Sequence, residues 1–408
     1  MKKIFGLALG ILTAIGGFLD IGDLVTNAVV GSRFGLSLAW VVVVGVVGIC
    51  LFAEMSGRVA AVSGRTTFEI IRERLGARTA LANLTASFLV NLLTLTAEIG
   101  GLTIAMQLAT SVSRFLWIPV AAFAVWLVIW RVRFSIMENV TGLLGLTLIV
   151  FAVALFLLKP DWPQLAMQAV PHLPGSEAPA TYWYYAVALF GAAMTPYEVF
   201  FFSSGAVEEH WSAKDLVQAR TNVLVGFPLG GVLSIAIAAV AAVVLLPQQI
   251  DVTSLSQTVL PVALAGGRLA LAFAIVGILA AVFGAALETT LSAGYTIAQF
   301  LGWSWGKFRS PAKAARFHVL MIVCLIVGMG VLVTGVDPVA VTEYSVVFSA
   351  IALPLTYLPI LIVANDPTYM GSKVNGRLQN GMSLIYLVII LVASLAAIPL
   401  MIVSGAGA

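Results

Sequence analysis

Residues 16–27 read GGFLDIGDLVTN. The stretch lies inside an apolar run from near residue 6 to near residue 30, long enough to cross a bilayer as a helix. Asp20 and Asp23 stand three residues apart within it. A charge at mid-bilayer costs about 2.5–3.5 kcal/mol on insertion scales, so an intramembrane acid faces the bundle interior or a polar cavity. Gly22, between the two acids, has no Cβ to restrict the backbone, and the helix can break there at little cost.

The remainder of the chain is equally apolar. Of 408 residues, 61% are hydrophobic and 10% charged, and the mean hydropathy is +1.07. Soluble domains carry about 25% charged residues, so the composition leaves almost no room for one. The net charge of +3 does not point to nucleic acid, because no Lys/Arg run interleaved with aromatics stands free of the apolar segments. Cys50 and Cys324 fall in apolar runs and read as buried thiols, without a disulfide framework or metal spacing. The opening MKKIFGLALGILTAIGG has the start of a signal peptide, but its apolar run continues past any cleavage point.

Hydrophobic runs set against charged loops predict eleven spans, near 6–30, 35–57, 80–111, 115–130, 139–158, 181–207, 221–247, 266–300, 315–334, 339–364 and 381–405. Counting Lys and Arg in alternate loops places seventeen on one side and four (Arg33, Arg114, Lys159 and Arg268) on the other. Positive charge stays inside, so the N-terminus is expected in the cytoplasm and the C-terminus outside, in a prokaryotic plasma membrane. The outer loop KPDWPQLAMQAVPHLPGSEAPA (159–180) is proline-rich and expected to be non-helical. The inner stretch EEHWSAKDLVQAR (208–220) is expected to form a linking helix.

A second span is interrupted as well. Residues 191–209 read GAAMTPYEVFFFSSGAVEE, with Pro196 and Glu198 inside the apolar run. Proline removes a backbone donor and clashes with the preceding turn. The two breaks lie five spans apart, which suggests two five-helix halves with an eleventh helix appended. The expected division is 1–160 for the first half, 161–180 for a connector, 181–364 for the second half and 365–408 for the last helix. Interrupted segments at matching positions of two halves are the best sequence pointer to a transporter site. Asp20, Asp23 and Glu198 would then set three carboxylates around one unwound crossing, and a cation would relieve their repulsion. Thr195 adds a hydroxyl. An all-oxygen set suits Mg²⁺, Ca²⁺ or Mn²⁺.

These residues resemble the Nramp family of divalent-metal transporters. That family carries Asp-Pro-Gly-Asn on its first helix, where this chain has Asp20-Ile21-Gly22-Asp23. Its sixth helix carries Ala-x-x-Met-Pro-His, matched by Ala192-Ala193-Met194-Thr195-Pro196-Tyr197. TNAVVGSRFGLSLAW, FEIIRERLG, LTAEIGG, ILAAVFGAALETTLSAG and YSVVFSAIALPLTYLP follow in the family's order, so the resemblance covers nearly the whole chain. It implies an all-α membrane protein with the LeuT-type fold: two inverted five-helix repeats plus an eleventh transmembrane helix, and first and sixth helices unwound at mid-membrane. It also implies metal bound between those two helices. The metal-ligating set carried forward is Asp20, Asp23, Ala192, Thr195, Glu198 and Ser345. Ala192 and Ser345 rest on the resemblance alone.

The departures from the family pattern carry information. Thr195 stands where the family has a metal-binding methionine, and a hydroxyl lacks the soft-metal preference of a thioether. Met194 is adjacent, and a local register shift would return sulfur to the site. Asp23 replaces Asn. Tyr197 replaces the His after the proline, and Leu95 the acid of the third helix; both lost positions belong to the proton route of proton-coupled members. The pattern is similar to the Nramp-related magnesium transporters. It implies carriage of Mg²⁺, and of Mn²⁺ also, by alternating access without proton coupling, with the ion as cargo and no resident cofactor.

Other acids and other classes bear on this reading. Glu98 is expected to be salt-bridged to Arg316 or another basic group. Glu288 lines an exit path or makes a helix–helix hydrogen bond. Glu54 and Glu343 sit near span ends and reach interfacial water. His172, His210 and His318 show no ligand spacing. Alternatives are a proton-coupled Mn²⁺/Fe²⁺ transporter, a sodium-coupled amino-acid symporter of the same fold, and a sensor that binds without transporting. An intramembrane aspartyl protease needs catalytic acids on two spans, whereas both aspartates here share one, and no His-Glu-x-x-His occurs. The chain therefore reads as a non-enzyme. Its expected partners are a divalent ion and the bilayer, with the oligomeric state left open, a monomer included.

Overall fold

The computed structural model describes residues 18–175 and 177–407. Its helices are α1 (Ile21–Phe34), α2 (Ala39–Ser63), α3 (Thr67–Thr110), α4 (Arg114–Arg131), α5 (Phe134–Gly145), α6 (Ile149–Leu157), α7 (Trp162–Gln168), α8 (Pro179–Ala193), α9 (Pro196–Glu208), α10 (Leu216–Val244), α11 (Leu255–Leu301), α12 (Ala315–Val333), α13 (Pro338–Ala364), α14 (Pro367–Met370) and α15 (Arg377–Val403). Among the described residues, ten segments are long and apolar enough to cross a membrane, and they match the second to eleventh expected spans. The expected start of the first span, near residue 6, lies outside the described residues.

Burial separates central helices from peripheral ones. In the most apolar window of α8–α9, 94% of residues are buried, against 22% in α15. The helices α1, α2, α8, α9 and α10 pack on one another as one bundle, while α3, α4, α11 and α12 pack together beside it. α13 contacts both groups, touching α3, α8 and α1.

The two halves share local devices. α3 opens on a capping box, in which Glu69 N–H donates to Thr66 Oγ1 and Thr66 N–H to Glu69 Oε2, both at 3.3 Å. α11 opens likewise, with Ser254 N–H donating to Gln257 Oε1 at 2.9 Å. Each helix then bends at a glycine with positive φ: Gly76 (φ 83°) in α3 and Gly267 (φ 66°) in α11. Only glycine adopts that backbone without strain. Both helices therefore begin a dozen residues before the expected spans, each with a front piece set at an angle.

Two loop expectations are corrected. Residues 162–168 form the short helix α7 despite the prolines, because Pro163 lies in its first turn, where a missing N–H costs nothing, and Asp161 caps Gln164 N–H at 3.2 Å. Residues 208–220 make no helix of their own. The chain turns after Glu208, and its second half simply begins α10. Glu54 also differs from expectation: it is 10% exposed and accepts from Arg58 (3.1 Å), Arg220 (2.7 Å) and Gln379 (2.8 Å). Those bonds tie α2 to α10 and α15.

Candidate metal site at two broken helices

The second expected break is present as placed, and the first is displaced: the non-helical residues are Leu19 and Asp20, while Gly22, between the two acids, is helical. The first lies just before α1, where Asp20 takes an extended backbone (φ −105°, ψ −178°) as N-cap and accepts Asp23 N–H at 2.9 Å. The second separates α8 from α9 at Met194 and Thr195. Pro196 starts α9 at a position where its missing N–H is no loss. For α8 the same residue is a loss, because the Ala192 carbonyl would need an N–H at position 196 to continue the helix. The Met194 carbonyl is taken by the Tyr357 hydroxyl at 3.2 Å.

Tyr197 joins the two breaks. Its hydroxyl donates to Asp20 Oδ2 at 3.3 Å, and its ring is 3% exposed. Asp23 is 1% exposed; its Oδ2 has no partner among the described residues, and Ser234 of α10 lies beside it. Asn27, one turn on, donates to the Asp23 carbonyl at 2.8 Å and leaves its own Oδ1 unpartnered. Glu198 lies in the first turn of α9 and accepts the Thr195 hydroxyl at 3.3 Å.

The Met194 side chain packs against Gly48 of α2 and lies next to Tyr386 of α15, so Thr195 and not Met194 turns to the acids. Ser345 is buried on α13, with its hydroxyl donated to the Thr342 carbonyl at 3.0 Å. Ala192 is buried at the end of α8.

Sequence reasoning missed what Glu98 does. Among the described residues Glu98 forms no salt bridge and its Oε2 has no partner; its Oε1 accepts the Ile21 N–H at 3.3 Å, capping α1 from α3. Arg316 instead lies over the Trp303 ring. Glu288 of α11 is buried and makes no hydrogen bond among the described residues, although its carboxylate lies in electrostatic reach of Asp20 and Glu198. No signal in the sequence distinguishes these roles, because each depends on a contact across 77 residues or more.

Five buried carboxylates, Asp20, Asp23, Glu98, Glu198 and Glu288, thus lie near one another at the two breaks, and among the described residues none forms an ion pair with Lys or Arg there. Asp23 Oδ2, Asn27 Oδ1 and Glu98 Oε2 are acceptors without a partner among the described residues, with the Ser234 hydroxyl, likewise unpartnered, beside Asp23. Buried acceptors without donors are costly, and a cation satisfies them. The three expected acids do not close on one point, however. No three acid, imidazole or thiol groups among the described residues converge tightly enough to hold an ion directly. Asp20 accepts one bond at each oxygen, from Asp23 N–H and the Tyr197 hydroxyl, and Glu198 accepts Thr195 at one oxygen, so both keep acceptor capacity.

A family profile described as natural resistance-associated macrophage protein-like matches residues 10–399. The chain belongs to the Nramp family. Among curated relatives, the divalent metal cation transporter MntH of Deinococcus radiodurans is 26% identical over 374 residues, covering 88% of this chain and 82% of the relative. That of Pectobacterium carotovorum is 25% identical over 386 residues, covering 93% and 90%. Among solved structures, the manganese transporter of Eremococcus coleocola superposes with TM-score 0.71 at 19% identity, covering 96% of this chain and 85% of that one. The nucleobase-cation-symport transporter Mhp1 gives 0.61 at 16% identity, covering 96% and 91%. The shared architecture is the LeuT-type fold, as the Nramp resemblance implied.

Proposed function

We propose that this protein moves divalent cations across the membrane by alternating access, with Mg²⁺ preferred, Mn²⁺ accepted and no protons carried. The observation that supports this most is the oxygen-only lining of the paired breaks, with Thr195 turned inward and Met194 turned away. Mg²⁺ sheds water reluctantly and is commonly held by one or two carboxylates with several waters retained. Acids gathered at the two breaks without closing on one point suit such a hydrated ion. Neither Tyr197 nor Leu95 titrates as the histidine and acid of the family pattern would. The inside-negative potential supplies about 2.3 kcal/mol per elementary charge per 100 mV, enough to draw a divalent ion inward without a coupled proton.

The orientation follows the loop charges: N-terminus in the cytoplasm, C-terminus outside, in a prokaryotic plasma membrane. A second reading is a proton-coupled Mn²⁺/Fe²⁺ transporter, for which the manganese transporter of Eremococcus coleocola supports the metal Mn²⁺. An amino-acid symporter is disfavoured by the acids, which would repel a substrate carboxylate.

Proteoliposomes carrying both a divalent-ion dye and a lumenal pH dye test the proposal. Mg²⁺ and Mn²⁺ uptake should proceed with no acidification linked to the metal. Metal-dependent acidification would establish the second reading instead. Thr195→Met should lower the Cd²⁺ concentration that halves Mn²⁺ uptake by about tenfold, equivalent to about 1.4 kcal/mol. An unchanged Cd²⁺ competition would remove residue 195 from the site.

A further inference from the structure

We propose that Glu288 is a further carboxylate of the cation site, holding the ion's water shell from α11. This rests on the reading of the paired breaks as a divalent-cation site.

The placement comes from the helix face. α11 packs against α1, α3 and α9. One turn after Glu288, the Ser292 hydroxyl donates to the Tyr197 carbonyl at 3.3 Å. The Tyr197 hydroxyl in turn meets Asp20. Residues four apart share a helix face, so Glu288 lies on the face of α11 that looks into the paired breaks. Its neighbour Thr289 is used structurally: the Thr289 carbonyl accepts Asn91 Nδ2 of α3 at 3.0 Å, and its hydroxyl returns to Ala285.

Glu288 itself has no such employment. It is 9% exposed, with no hydrogen bond and no ion pair among the described residues. Its carboxylate lies in electrostatic reach of Asp20, Glu98, Glu198 and Tyr197, which come from α3, α9 and the entry to α1. An acid kept in a membrane interior for packing would be expected to find a donor or a basic partner. Two more acceptors of the same cluster of acids, Asp23 Oδ2 and Glu98 Oε2, have no hydrogen-bond partner among the described residues. The carboxylates stand too far apart to ligate one bare ion together. A hydrated ion bridges that gap, because its waters donate to the outer acids. Outer partners of this kind shape affinity nearly as strongly as direct ligands.

Isothermal titration of the purified, detergent-solubilised chain with MgCl₂ and with MnCl₂ tests the assignment. Wild type, Glu288→Gln, Glu288→Asp and Asp20→Ala are compared. Glu288→Gln should weaken Mg²⁺ binding by about 10–100-fold, the usual loss for an outer partner, and weaken Mn²⁺ less. Glu288→Asp keeps the charge and should retain most of the Mg²⁺ affinity. Unchanged Mg²⁺ affinity in Glu288→Gln, or equal losses in the Gln and Asp variants, overturns the role of Glu288. If the Gln variant does not fold, the Asp variant decides: Mg²⁺ affinity near wild type sustains the role, and a large loss overturns it. Wild type that binds neither ion sinks the cation site itself. Wild type that binds and is lost only in Asp20→Ala leaves the site standing without Glu288.

Discussion

Replacing Asp20 with alanine is expected to abolish Mg²⁺ and Mn²⁺ uptake, and replacing it with asparagine should do the same. The pair of variants separates two jobs that one carboxylate performs. Asp20 caps α1 through Asp23 N–H at 2.9 Å and accepts the Tyr197 hydroxyl at 3.3 Å. Alanine loses both, at about 0.5–2 kcal/mol for the cap and about 1–3 kcal/mol for a buried hydroxyl left unpaired. Asparagine caps as well as aspartate and still offers an oxygen to Tyr197. It lacks only the charge. The asparagine variant should therefore melt close to wild type and still fail to transport, whereas the alanine variant should melt lower. Uptake into proteoliposomes and thermal unfolding in detergent read the two effects separately. Full-rate uptake by the asparagine variant would show that Asp20 is a cap and nothing more.

What the sequence disclosed and what it withheld differ by range. Span positions depend on local composition, and ten of the eleven expected spans recur among the described residues. The break at Pro196 was also visible and the one at Asp20 nearly so, just before Gly22, because acids and a proline inside an apolar run conflict with a continuous helix locally. The front pieces of α3 and α11 were hidden: FEIIRERLG carries too much charge to look like a span, and only its capping box marks it as helix. The contacts that give the site its shape were out of reach altogether. Glu98 reaches Ile21 across 77 residues, and Tyr197 reaches Asp20 across 177. The doubt between Met194 and Thr195 likewise required a neighbour, the open space over Gly48 that receives the methionine side chain.

Gly191→Val is expected to cost both the fold and transport. Gly191 lies three residues before the second break, where α8 crosses α13. A Cβ there would stand 3.1 Å from the Val346 carbonyl carbon, closer still to its oxygen, and 3.2 Å from Ala350 N. These are backbone atoms of α13, which cannot rotate aside as a side chain would. Overpacking of this kind costs about 1–3 kcal/mol, and relief requires the helices to separate. The same Val346 also faces the first break, with its Cγ1 2.7 Å from where a Gly22 Cβ would lie. One residue of α13 is therefore wedged between both interrupted helices, and it fixes how far apart Asp20 and Thr195 can stand. Pushing α8 off α13 moves Ala192 and Thr195 away from Asp20 even if the bundle survives. The variant should show a lowered melting temperature and no Mn²⁺ uptake, with Gly191→Ala intermediate in both. Gly330→Val, on an exposed face of α12 where a Cβ meets nothing within 4 Å, should leave both near wild type. If Gly191→Val instead melted and transported like wild type, α8 and α13 would not meet backbone to backbone, and the spacing of the two breaks would have to be set elsewhere.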